Sequence, residues 1–437
     1  MRHKILGWLV LAPFCLKAQD SLLTESDAIK LALQNNLQIQ IARNDVEAAT
    51  LSNNWGFAGR WPTVTAGASD VEYSTNILQQ TSSGQTTKKN GATQNSLNAN
   101  ITGTWRIYNG SLVVATKARL NELQAIGEIA LQSQVNSVIF DVLTSYYNIL
   151  RLKEQVKAYR AIIDLSQERY TIAETRFNVG SAAKTDMLQA GIDLNEQKIN
   201  LISIESQILK TKVILNTILR RETSTPLDVD SVFEISKLDL GAYAQKVQTN
   251  NYDILIARHQ LAVLMQEGRQ INSQRLPTLT LNSATTYSRT KASAGFFLIN
   301  QSYGPNIGLG LGIPIYNSNI YRTQARVNKV AQETQQLQIE TMSTQVTRDL
   351  VNAFTEYDNA TQTADIERRN TLLAKENNFI STERFRKLQS NSIELRTAQL
   401  SLIDAQDKLI NALFRAKLAE ISIKLLAGEL AIPPESK

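Results

Sequence analysis

Cysteine, histidine and proline are scarce in this chain, and each scarcity removes a class of function. Its 437 residues hold one cysteine, Cys15, and two histidines, His3 and His259. Paired thiols and Cys/His clusters are therefore missing, which excludes a disulfide framework and a structural zinc site. His259 has no His or Cys near it in the sequence, so a surface or packing role fits it better than metal binding. No Ser-His-Asp constellation and no phosphate-cradling glycine loop is present, and acidic pairs such as Asp404 and Asp407 have ordinary helix-surface spacing. Neither an enzyme nor a cofactor is expected.

The eight prolines stand at 13, 62, 226, 277, 305, 314, 433 and 434. Two tracts, 63–225 and 315–432, contain none and can hold very long helices. With 43% apolar and 6% aromatic residues, the composition points to extended helix instead of many compact modules. Beyond the N-terminus no stretch offers the ~18 apolar residues of a membrane helix. Contact with a membrane must then be made through strands.

Arg2 and Lys4 followed by the apolar run Ile5 to Phe14 read as a secretory signal over 1–18, with cleavage after Ala18. Pro13 and bulky Phe14 precede Cys15 where lipid attachment requires small residues, so lipidation is not expected. Cleavage leaves a mature chain free of cysteine. It also lowers the formal charge from +6 to +3, as Arg2, Lys4 and Lys17 leave. That excess is thinly spread, with no basic run to grip phosphates, so nucleic acid is not a partner.

The chain repeats itself. Trp61-Pro62-Thr63-Val64 recurs as Leu276-Pro277-Thr278-Leu279 at an offset of 215, and Tyr108-Asn109 recurs as Tyr316-Asn317 at an offset of 208. Arg176-Phe177 recurs as Arg384-Phe385 at the same 208. A period this long marks a duplicated domain, since solenoid repeats run to only about 20–50 residues. Each half reads helix, two strands, long helix, turn, helix. The first repeat spans 19–221, with helices over 26–56, 111–177 and 182–221 and strands over 63–73 and 96–107. A connector over 222–240 leads to the second repeat, 241–428, with helices over 241–273, 317–387 and 391–428 and strands over 278–287 and 306–315. A tail, 429–437, follows.

The long helices carry a coiled-coil seam: Val138, Val142, Ser145, Ile149, Leu152, Val156 and onward to Phe177 alternate in steps of three and four. Leu188, Ile192, Ile199, Ile202, Leu209 and Val213 mark a similar seam on the first return helix. The strands alternate differently. Leu97, Ala99, Ile101, Gly103, Trp105 and Ile107 alternate with polar residues, and Ile307, Leu309 and Leu311 with glycine. This matches the wall of a membrane barrel; a half-buried soluble sheet shares the pattern. The polar segments 74–95 and 288–305 read as outward loops. Trp55, Trp61, Trp105, Tyr108 and Tyr316 fall at strand–helix junctions, where amphipathic rings suit a lipid boundary. Four strands cannot close a barrel, and an open sheet edge in lipid leaves backbone groups unsatisfied, so several copies must share one.

The signal peptide, the duplicated plan, Pro-Thr-apolar at each first strand, Tyr-Asn after each second, and Arg176-Phe177-Asn178-Val179-Gly180 leading to Thr185-Asp186 together resemble the TolC-like outer-membrane efflux family. The resemblance implies a homotrimer in the outer membrane of a Gram-negative bacterium, with a shared twelve-stranded barrel and a helical α-barrel crossing the periplasm. It implies service as exit duct of a tripartite efflux or type I secretion system. The partners would be a periplasmic adaptor (membrane fusion protein) and an inner-membrane transporter of RND, ABC or MFS type. It also implies a closable aperture, where adaptor tips dock, at the turns carrying Arg176, Phe177, Gly180, Thr185 and Asp186 and then Phe385, Ser390, Asn391 and Glu394. Here the sequence departs from the family. The family's latching tyrosine and arginine fall on Phe385 and Ser390, and its two pore carboxylates on Glu394 and Thr397, leaving Asp186 without an inherited partner and one possible carboxylate ring at Glu394. The second turn lacks the family glycine, and Asn391 is the residue expected to take positive φ there. An exported coiled-coil spacer or adaptor without a channel is the competing reading.

Overall fold

The computed structural model describes residues 21–229, 232–295 and 297–430. The segment 1–18 expected to be a signal peptide, with Cys15, and most of the tail over 429–437 lie outside the described residues. In chain order the elements are β1 (Ser21–Leu23), α1 (Glu25–Asn35), α2 (Leu37–Ser52), β2 (Thr63–Gln80), β3 (Thr86–Asn109), α3 (Leu112–Asn178) and α4 (Lys184–Ile218). Then follow β4 (Leu227–Val229), α5 (Leu240–Asn250), α6 (Tyr252–Ser273), β5 (Thr278–Ala292), β6 (Ile299–Gly312), α7 (Ile320–Arg386) and α8 (Ser392–Leu426). The duplicated helix-strand-strand-helix-helix plan is thus present in both halves.

The chain divides into two units. One comprises the chain up to Ala42 with Leu131–Tyr252 and Ser343 onward; the other comprises Arg43–Ala130 and Asp253–Met342.

In the first unit the seam expected on the long helix is its core. Val138, Val142, Ile149 and Leu152 are buried, beside a second stripe of Ile139, Leu143, Tyr146 and Leu150. All but Leu152 gather with Ala28 and Ala32 of α1, Leu215 of α4 and Ile421 of α8 in one cluster, and Leu152 packs with Val156 and Ile204 in another. The seam expected on α4 behaves otherwise: Leu188, Ile192, Ile199, Ile202, Leu209 and Val213 are all exposed in the single chain.

The helices expected over 26–56 and 241–273 are each broken in two, at Asn36 and Asn251, whose ψ of 130° and 124° leave the helical region. Both residues are buried, and each donates its side-chain amide to the end of a return helix: Asn36 to the Ile218 carbonyl at 2.9 Å and Asn251 to Leu426 at 3.0 Å. These stations repeat at the sequence offsets of 215 and 208, so the duplication extends to the joints.

The connector expected over 222–240 is more than an outer wrap. Its strand β4 pairs in parallel with β1, and Leu227 is fully buried. Farther along it, Ser236 N–H donates to Glu420 at 3.2 Å, and Tyr357 donates its hydroxyl to the Ser236 carbonyl at 2.7 Å. Glu420 is fully buried between Lys417 and Lys424 of its own helix.

The second unit carries an antiparallel four-stranded sheet in the order β2-β3-β5-β6. Its register sorts side chains by chemistry. Leu311, Leu279 and Tyr108 share a level, then Leu309, Leu281 and Trp105, then Ile307 and Val64, then Pro305, Ile101 and Ala66, then Tyr303, Tyr287, Ala99 and Ala68. From Tyr303 to Leu311 this apolar face runs ~27 Å along the strand at ~3.4 Å per residue. The opposite face holds Thr65, Gly67, Ser69, Asn98, Asn100, Thr102, Thr104, Thr280, Asn282, Gly304, Gly308 and Gly310. A side chain at Gly304 or Gly308 would meet nothing within 4 Å, and neither has a positive φ.

The strands are longer than expected. The segment 74–95 is not a loop: β2 and β3 continue through it to a turn at 81–85, with a register shift between Thr75 and Ile77. The segment 288–305 likewise continues β5 to Ala292 and starts β6 at Ile299.

Candidate functional site

The two hairpin turns of the first unit are built alike. Gly180, at φ 77°, follows the end of α3; its N–H bonds the Phe177 carbonyl and the Ser181 N–H reaches Arg176, the pairing of a Schellman cap. In the second turn Leu388 N–H bonds Phe385 and Gln389 N–H reaches Arg384 in the same pattern. The left-handed residue there is Leu388, at φ 61°, and not Asn391 as expected. Asn391 instead sits at φ −99° and caps α8, its side-chain oxygen accepting from Glu394 N–H at 2.9 Å.

Glu394 is engaged within its own turn. Its carboxylate pairs with Arg384 and accepts from Ser390 Oγ at 2.7 Å. Thr185 and Asp186, in the first turn of α4, are exposed, and among the described residues the Asp186 carboxylate has no side-chain partner.

The structure joins the two hairpins through Arg176 and Phe385, both expected at the turns, and through charged residues that the sequence did not single out. Phe385 is buried, with the Arg176 guanidinium 4.1 Å from its ring centroid and also donating to the Phe385 carbonyl. Arg386 reaches Glu168 on α3 at 2.7 Å. Deeper in the bundle Arg169 of α3, only 2% exposed, meets Asp193 of α4 at 2.5 Å, and Arg396 of α8 approaches the same carboxylate oxygen at 2.9 Å. Burial pushes the Arg169 pKa down and the Asp193 carboxylate pushes it up, with the net shift downward. One acid thus ties three helices. Higher still Tyr159 donates to Asp407 at 3.1 Å; burial first, then that carboxylate, pushes the Tyr159 phenol up to about 12. Isolated charges inside an apolar seam were the available signal for these pairs.

The expected rim aromatics only partly converge. Trp55 and Trp61 flank Arg60, whose guanidinium carbon lies 4.8 and 5.9 Å from their ring centroids, and Trp105 donates its indole N–H to the Arg60 carbonyl at 2.9 Å. Tyr108 and Tyr316 are exposed.

No helix of the described residues is long and apolar enough to cross a membrane, and no group of three or more His, Cys, Asp or Glu among them could hold a metal. Residues 28–219 and 243–429 match the family described as "Outer membrane efflux protein". The chain is 23% identical over 356 residues to "Outer membrane protein TolC" of Escherichia coli (strain K12), covering 77% of this chain and 71% of that protein. "Pyoverdine export outer membrane protein OpmQ" of Pseudomonas aeruginosa is 24% identical over 199 residues, 45% of this chain and 41% of OpmQ. In fold, the Campylobacter jejuni CmeC outer membrane channel superposes with a TM-score of 0.78 at 15% identity, over 100% of this chain and 96% of CmeC. Vibrio cholerae VceC, an outer membrane protein, does so with 0.76 at 16%, over 92% and 96%. With its two halves both matched, its four-stranded sheet and its paired helical hairpins, the chain belongs to the outer membrane efflux protein family and is an exit duct of the outer membrane.

Proposed function

We propose that three copies of this chain close one β-barrel in the outer membrane and one helical tube beneath it. This duct would pass substrates delivered by a periplasmic adaptor and an inner-membrane transporter. The observation that carries this reading is the sheet: one apolar face, one polar face, and free edges on β2 and β6. In lipid those edges must be paired, and a ring of copies pairs β6 of one with β2 of the next. The exposed apolar seam of α4 supports the same ring, since a neighbouring copy would cover it.

Nothing in this duct performs catalysis. Its work is to offer a continuous water-filled path, and energy enters through the inner-membrane partner. The hairpin ends around Gly180 and Leu388 are the proposed aperture and adaptor-docking tips, with Arg176 on Phe385 and the Arg169–Asp193–Arg396 cluster as the contacts that an opening movement must loosen or carry along. Purified protein in detergent should have the mass of three chains by light scattering and should form discrete pores in planar bilayers. A water-soluble single chain that never conducts would overturn the reading and favour the spacer.

A further inference from the structure

We infer that the outer rim of the sheet is a binding site for a phosphorylated, multiply acylated glycolipid of the outer leaflet, an inference that rests on the apolar face being the lipid-facing one. The phosphate is held by Arg289 and Lys291. An acyl chain lies below it, in a groove floored by Ala66, Ala99 and Thr285 and walled by Ile101, Tyr287 and Tyr303.

The register places these groups. Tyr287 and Tyr303 face each other and end the apolar ladder on the side away from the helices. The next residues of β5 on that same face are Arg289, opposite Gln301, and Lys291, opposite Ile299. Both are exposed, and among the described residues neither side chain has an ion-pair or hydrogen-bond partner. Two carboxylates share the rim, Asp70 and Glu72. They stand on β2, across β3 from Arg289 and Lys291 and level with them, and Glu72 lines the same cleft as the two basic residues; Asn95 donates to both carboxylates, at 2.6 and 3.2 Å. The donors that a phosphate needs are therefore on the β5 side of the cleft, with the carboxylates opposite held by Asn95. A guanidinium fork beside an ammonium, just beyond tyrosines at the edge of an apolar belt, suits a phosphate at the head of a lipid.

The groove supplies the other end of the ligand. Small side chains at Ala66 and Ala99 sit between larger ones, so the face is dented where a plain lipid-facing wall would be filled. From Thr285 to Arg289 is ~14 Å along the strand, a distance an acyl chain spans. The dent runs across the apolar face from Ala66 on β2 to Tyr303 and Pro305 on β6, and edge-to-edge pairing of copies extends that face without covering it. Its place near the hairpin tips, opposite the end where the strands join helices, selects the outer leaflet over the inner.

The test uses the purified trimer in nanodiscs containing either bis-phosphorylated lipid A, the same lipid with both phosphates removed, or phosphatidylglycerol, with native mass spectrometry counting retained lipids. The phosphorylated form should be retained on the order of tenfold over the dephosphorylated one, and R289Q/K291Q should abolish that preference. A66L/A99L, which fills the dent with apolar bulk, should lower lipid A retention severalfold. Equal retention of the two lipid A forms, an unchanged preference in R289Q/K291Q, or phosphatidylglycerol held as well as lipid A would each overturn the site. Pore conductance separates the two failures: a conducting trimer without phosphate preference refutes only the lipid site, and a preparation that never conducts refutes the channel.

Discussion

Leu388 holds a backbone conformation that its first-half counterpart, Gly180, adopts without a Cβ. An L-residue there costs about 1–2 kcal/mol, so Leu388→Gly should raise the thermal unfolding midpoint while Gly180→Ala lowers it, measured by circular dichroism. The offset of 208 that links the two positions was readable in the sequence. The expectation fell on Asn391 because asparagine is the usual substitute for glycine, and the reading of residue type overrode that of register. Glu394 makes a second residue-scale case. Its charge is already balanced by Arg384, so the double variant Arg384→Gln/Glu394→Gln should leave the cation selectivity of single channels unchanged, whereas Arg384→Gln alone, which frees the carboxylate, should increase it and Glu394→Gln alone, which frees the guanidinium, should lower it. A marked loss of cation selectivity in the double variant would restore the idea of a carboxylate ring.

At the scale of elements, the connector and α8 are fastened through one buried carboxylate. Burial alone would raise the pKa of Glu420, but Lys424, Lys417 and the Ser236 N–H outweigh it and hold it below its ordinary value. A depressed carboxylate contributes stability that is present above its unfolded pKa and is lost as pH falls through the folded one. Protection of the 232–238 amides in hydrogen exchange should therefore hold at neutral pH and decline below about pH 4. In Glu420→Gln it should be low throughout, since two lysines are left facing an uncharged group at a cost of about 3–5 kcal/mol. The helices themselves were legible because a seam kept over many turns admits one period. Their breaks were not: Asn36 and Asn251 look like ordinary polar helix residues until the carbonyls of Ile218 and Leu426 come within reach. The outer halves of β2 and β3 escaped for a related reason. Alternation marks a strand only where its two faces meet different surroundings, and beyond the apolar belt Thr86 to Gly91 has water on both sides. The ion pairs around Asp193 needed three helices in place before any of them had meaning.

At the scale of the whole molecule, the absence of cysteine beyond Cys15 invites a direct test of closure. Single cysteines placed at 63–71 of β2 and at 305–311 of β6, combined pairwise, should yield cross-linked trimers on denaturing gels for one register and none for the registers on either side. Cross-links only within one chain would rule out the shared barrel. Last, the glycines at 304, 308 and 310 are free of the usual obligations of that residue, for neither a turn nor a tight neighbour demands them at 304 or 308. They lie on the face that closure would turn inward, along the strand where one copy hands over to the next. In the proposed barrel, bare backbone at those three positions would widen the bore and leave only short Thr and Asn side chains of the neighbouring strands to engage a cargo. Large or irregular solutes should then leave as readily as small ones, with choice exercised before they ever enter.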